Sequence, residues 1–211
     1  MGKMNRNKQI KVTEEFVRTK IEDYDSGHDW FHIERVRKLA RYINEQEKIA
    51  DPFVLEIAAL LHDIMDSKFM KRTPEQENKM VGEFMDKNEL TEIKDQVISV
   101  IRNVSYSNKK PDGNLSDPVL LIIQDADKLD AMGAIGIARA FNYGGFRNNP
   151  IYIPGNQRAI KNQSTIGHFY DKLLRLKDMM NTSTGRLIAE ERHQFLALFL
   201  EKFYREWDFE D

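Results

Sequence analysis

Apolar residues recur along this chain with the period of a helix, and no stretch alternates as a strand would. Ile33, Val36, Leu39, Ala40 and Ile43 form one stripe. Phe53-Val54-Leu55-Glu56-Ile57-Ala58-Ala59-Leu60-Leu61 is apolar almost all round, the mark of a helix buried on every side. Its start, Asp51-Pro52, is an N-cap followed by proline at the first helical position. Thr73-Pro74-Glu75-Gln76 has the spacing of a capping box and leads into Met80, Val81 and Phe84. Ile93, Val97, Val100, Ile101 and Val104 make a further face. Asp117-Pro118 opens a helix predicted to run through Val119-Leu120-Leu121-Ile122-Ile123 towards Ala140. Two more helices are predicted, over about 164–180 and 184–207.

Two irregular stretches interrupt the helices. One is the turn-rich loop 107–114; the other, Tyr143 to Gln163, carries Gly144-Gly145, Asn148-Asn149-Pro150 and Pro154-Gly155. Loops of the second length are often lids or binding loops, and a tolerated surface insertion is the alternative. No repeat or Pro/Gly/Ser linker divides the chain. The expectation is therefore one all-α domain over 1–211, a helical bundle, with residues 1–12 disordered or loosely packed.

Composition narrows the chemistry. With 211 residues, the chain buries enough surface for a sizeable core without staples. It has no cysteine, so disulfides, thiolate metal sites and cysteine nucleophiles are excluded, and any metal must be held by nitrogen and oxygen. Thirty-two basic residues against 34 acidic ones argue against specific nucleic-acid binding. No segment approaches the ~18 uninterrupted apolar residues of a membrane span, and a soluble cytoplasmic protein, monomer or homodimer, is expected.

The buried helix ends in His62-Asp63, two polar groups at the edge of a core that cost free energy unless partnered. His32 begins the Ile33/Val36 helix, and Asp127 follows Ile123 by four residues, which places it on the same side of its helix. These two imidazoles and two carboxylates from three helices make a plausible site for Mn²⁺, Fe²⁺, Ni²⁺ or Zn²⁺, with Mg²⁺ possible. Each residue also has a structural reading. His62 can be a helix-end cap, His28 and His32 can flank Trp30 at an amphipathic helix start, and Asp127 can pair with a neighbouring base.

The ordered set His32-Ile33-Glu34-Arg35-Val36, His62-Asp63 and Ala126-Asp127-Lys128-Leu129 resembles the H…HD…D signature of the HD-domain metal-dependent phosphohydrolases. The segments from Gly27 to Ala40, Leu60 to Lys68, Asp125 to Gly145 and His168 to Thr182 are similar to small stand-alone prokaryotic members. The resemblance implies that His32, rather than His28, joins His62, Asp63 and Asp127 in holding one divalent metal ion. It also implies that Asp66 acts in proton transfer beside the ligand Asp63, and that Lys68 contacts a phosphate. Arg147 on the long loop and Lys172 on the next helix are further candidates for phosphate. Tyr143, Phe146 and Tyr152 either stack a base or pack the loop.

The activity implied is hydrolysis of a small phosphate ester or nucleotide. A nucleoside or deoxynucleoside triphosphate, cleaved to monophosphate and pyrophosphate, is the favoured substrate. A nucleotidase, a phosphodiesterase and a non-catalytic metal- and nucleotide-binding sensor are the alternatives.

Overall fold

The structure, a computed structural model, describes residues 4–21, 29–64, 73–104, 113–154 and 163–210. Among these residues the fold is all-α, with no strand. Contacts gather the chain into two compact units, Met1–Ala126 and Asp127–Asp211.

The first unit contains α1 (Arg6–Ile21), α2 (Trp30–Glu47), α3 (Pro52–Leu61), α4 (Pro74–Lys87), α5 (Lys94–Asn103) and most of α6 (Pro118–Asp130). As its composition predicts, α3 is buried from Val54 to Leu61 and packs against α1, α2 and α5. Its N-terminus is set locally: the Asp51 carboxylate accepts from Phe53 N at 2.8 Å and Val54 N at 3.0 Å. The Thr73–Gln76 capping box forms at the head of α4. Ile33, Val36, Ala40 and Ile43 all face the core, each contributing roughly 1–3 kcal/mol of burial. Phe16 of α1 stacks on Phe84 of α4 with ring centroids 4.0 Å apart.

The N-terminal expectation is corrected over residues 6–12, which belong to α1. This region lacks an apolar stripe because polar side chains do much of its docking. Gln9 is buried and its Nε2 donates to the Glu89 carbonyl at 2.8 Å, while buried Thr13 donates to the Gln9 carbonyl.

The second unit contains the end of α6, then α7 (Gly133–Phe146), α8 (Thr165–Asp171), a 3₁₀ segment (Leu173–Met179) and α9 (Ser183–Asp208). The helix expected to continue to Ala140 stops at Asp130 and restarts at Gly133. Gly133 takes φ +67°, which L side chains resist, and Gly136 lies so close to the preceding turn that a Cβ would stand 2.2 Å from the Ala131 carbonyl oxygen. Arg192 of α9 donates to the Leu129 carbonyl freed at the break.

The loop expected from Tyr143 begins later, because α7 continues to Phe146. Gly144 lets Thr165 of α8 pack closely on this turn: a Cβ there would stand 2.1 Å from Thr165 Oγ1. Thr165 N and Ile166 N donate to the carbonyls of Pro150 and Ile151, tying the connection to α8. The helix expected over 164–180 divides at Lys172, where φ −133° interrupts it. Phe169 sits between Phe141 and Phe199 at centroid distances of 6.1 and 5.6 Å.

Candidate metal centre

Two helix ends bring the site residues together. Asp29 caps α2, its carboxylate accepting from His32 N at 2.8 Å, so the residue that starts the helix also orients the turn carrying His32. The sequence reading missed Asp29, although an Asp just before the first apolar-periodic residue is the usual signal. Trp30, the first residue of α2, lies under the Arg18 guanidinium at 3.7 Å. At the far end of α3, His62 is the C-cap with helical dihedrals, and Ile64 N closes the turn on the Leu61 carbonyl at 3.1 Å.

His32, His62 and Asp63 converge, each offering one ligand atom within 4.8 Å of the others. The Nε2 atoms of the two histidines are 3.4 Å apart, and His32 Nε2 is 3.6 Å from Asp63 Oδ2. The residues are 1%, 4% and 9% exposed. His62 Nδ1 stands 2.8 Å from the Ala59 carbonyl oxygen. A carbonyl only accepts, so that contact assigns the proton to Nδ1 and leaves Nε2 with its lone pair facing His32.

This donor set fits a divalent ion. Two nitrogen or oxygen ligands about 2.1 Å from one ion stand roughly 3.0–3.5 Å apart, close to the separations seen here. A backbone carbonyl on the remote ring nitrogen is the usual partner of a ligating imidazole.

A buried ion cluster braces the same helices. Glu56 of α3 is held by Arg37 and Arg41 of α2, and Arg37 also reaches Glu14 of α1. Burial alone would lower the pKa of Arg37, but the hydrogen bonds and charges of Glu56 and Glu14 outweigh it and hold the pKa above the ordinary value.

Asp66 and Lys68, like His28, lie outside the described residues. Asp127 belongs to the second unit and is half-buried, whereas its neighbours Asp125 and Asp130 are fully buried. Asp130 pairs with Arg139 at 2.6 Å. Arg147 is the C-cap of α7 rather than a loop residue, 5.9 Å from the Tyr143 ring centroid. Lys172 stands at the junction between α8 and the 3₁₀ segment, where its charge joins burial in lowering the pKa of His168. Of the three loop aromatics, Tyr152 packs against Phe203, Tyr204 and Trp207 of α9, the structural alternative. Tyr143 and Phe146 are 43% and 59% exposed.

No helix among the described residues is long and apolar enough to cross a membrane.

Comparison with known proteins agrees with this geometry. Residues 30–132 match the HD domain family. The chain is 41% identical over 211 aligned residues to the uncharacterized protein YpgQ of Bacillus subtilis, with 96% of each chain covered. Among solved structures, an HD-superfamily hydrolase from Bacillus thuringiensis is 38% identical, with 97% of this chain and 99% of that one covered and a TM-score of 0.78. The structure of B. subtilis YpgQ in complex with ADP is 36% identical, with 93% and 97% covered and a TM-score of 0.75.

Proposed function

The chain belongs to the HD domain family and is a metal-dependent hydrolase of that superfamily, and from that premise we propose that it hydrolyses a nucleoside or deoxynucleoside triphosphate to the monophosphate and pyrophosphate. The observation that carries this reading is the convergence of His32, His62 and Asp63, with His62 Nδ1 on the Ala59 carbonyl and its Nε2 turned towards the cluster. The ADP bound by the relative YpgQ supports a nucleotide as ligand.

Asp127 is the fourth ligand in this reading, giving a two-imidazole, two-carboxylate set suited to Mn²⁺, Fe²⁺, Ni²⁺ or Zn²⁺ and open to Mg²⁺. A divalent ion bound there supplies a Lewis acid that lowers the pKa of water and polarises a phosphoryl oxygen. Asp66 accepts the proton of the attacking water. The oxygen of that water bonds to the α-phosphorus, the bond from phosphorus to the α,β-bridging oxygen breaks, and pyrophosphate leaves with the electron pair. Lys68, Arg147 and Lys172 offset the charge on the phosphoryl oxygens. Tyr143 and Phe146 are the exposed rings that stack on a base in this reading.

A product panel tests this. Protein loaded with Mn²⁺, Ni²⁺ or Mg²⁺ is incubated with nucleoside triphosphates, diphosphates, monophosphates and cyclic nucleotides, and products are separated by chromatography. The expected result is monophosphate plus pyrophosphate from a triphosphate, lost in Asp63→Ala. Orthophosphate as first product would make the enzyme a nucleotidase instead. Activity that survives Asp63→Ala would overturn the site assignment.

A further inference from the structure

At the opposite end of the helices that carry the histidines, the first unit holds an open cleft of about 620 Å³. Arg6 and Ile10 of α1, Arg41 and Lys48 of α2 and its cap, and Phe53 and Glu56 of α3 are among its lining residues. Asn44, also in its wall, lies twelve residues beyond His32 along α2, roughly 18 Å at the helical rise. Phe53 precedes His62 by nine residues along α3, roughly 14 Å. The cleft is therefore separate from the metal centre, and its size is that of a small-molecule site.

Its charges are unevenly committed. Glu56 is 4% exposed and already bridged by Arg37 and Arg41, so its charge is satisfied within the protein. Arg41 engages it through Nε at 3.0 Å while its side chain stays 55% exposed. Among the described residues neither Arg6 nor Lys48 makes an ion pair. Two uncommitted cations, Arg6 and Lys48, thus meet one uncommitted carboxylate, Glu45, and the exposed end of the Arg41 guanidinium lies beside them.

The rim is also pre-shaped. Arg6 is held over the Phe53 ring at 4.7 Å without spending its N–H donors on a hydrogen bond. The Asn44 side chain clamps both backbone groups of Ala50, each at 3.0 Å, which fixes the turn between α2 and α3. Lys48 caps α2 in that turn with φ +56°. Ile10 and Phe53 supply apolar surface between these cations.

We propose that this cleft is a second ligand site that takes a small organic phosphate, with the phosphate against Arg6, Arg41 and Lys48 and the apolar body against Ile10 and Phe53. A held guanidinium pair with an ammonium suits a phosphate dianion, which accepts several charge-assisted hydrogen bonds at once.

Phenyl phosphate is the probe, titrated calorimetrically into metal-depleted protein, with inorganic phosphate and phenol as partial ligands. Saturable binding of phenyl phosphate, tighter than that of either fragment, is expected. Arg6→Gln combined with Lys48→Gln should weaken it about tenfold or more, while Asp63→Asn leaves it unchanged. Both replaced side chains are exposed, and an unaltered melting temperature verifies that the double variant is folded. No saturable binding, an unweakened double variant, or loss of binding in Asp63→Asn alone would each overturn the proposal. Because the metal is absent and Asp63 is varied separately, failure here leaves the hydrolase reading intact.

Discussion

His62 donates through Nδ1 to the carbonyl oxygen of Ala59, one turn earlier on the same helix, and this bond aims its bare Nε2 at His32. The orientation of one ring thereby sets where a metal can sit. His62→Gln removes both the ligand nitrogen and the bond that aims it. Loss of an outer partner alone costs a metal site about 10–100-fold in affinity, so loss of the ligand should cost more. Elemental analysis of purified protein should show a large fall in bound metal. Added Mn²⁺ should raise the melting temperature of the native protein, as any ligand of the folded state does, and not that of the variant. An equal shift in both would contradict the assignment.

Asp29 predicts a link between a helix cap and activity. Asp29→Ala removes the acceptor of the His32 amide and should cost about 1 kcal/mol in urea unfolding. Turnover should fall as well, since the frayed turn carries a proposed ligand. Asp29→Asn retains the acceptor and should restore both. If neither stability nor rate changes in Asp29→Ala, the cap does not position His32.

Glycines separate sharply by their surroundings. Gly136→Ala drives a Cβ to 2.2 Å from a backbone oxygen, and a cost of about 1–3 kcal/mol or more is expected, with a lower midpoint in chemical denaturation. Gly82→Ala and Gly145→Ala meet open space inside helices and should each stabilise by roughly 0.5–1 kcal/mol. A destabilising Gly82→Ala would argue against the position of α4.

His168 should make stability depend on pH. Burial first, then the Lys172 charge, hold its folded pKa below the ordinary value of 6.5, outweighing Asp171. Well above 6.5 the ring is neutral in both states and its contribution is intact. As pH falls through 6.5 the unfolded chain gains a proton that the folded chain resists, so stability drops until the folded pKa is passed. His193, lowered by burial and then by Lys177, acts in the same direction. Melting temperatures measured between pH 8 and pH 5 should fall more steeply for the native protein than for His168→Gln. Parallel profiles would show that His168 is not the group responsible.

What the sequence determined by itself is what short-range physics writes into it. Asp51-Pro52 and Thr73–Gln76 mark helix starts because a cap satisfies amides two or three residues away. The apolar run before His62-Asp63 foretold a buried α3, since no partner element need be known to see that every face avoids water. His32, His62 and Asp63, which the residues left open between structural and ligand roles and which the resemblance implies as ligands, lie together. Only the tertiary structure decided the rest. The break after Asp130 depends on a close approach at Gly136 and on Arg192, far along the chain, and periodicity is blind to both. The first turns of α1 are tied down by Gln9 reaching the backbone at Glu89, a polar contact that no apolar stripe announces. The 3.4 Å approach of His32 to His62 exists because α2 packs on α3: helical spacing tells which side chains share a face, and only packing brings two faces to one point.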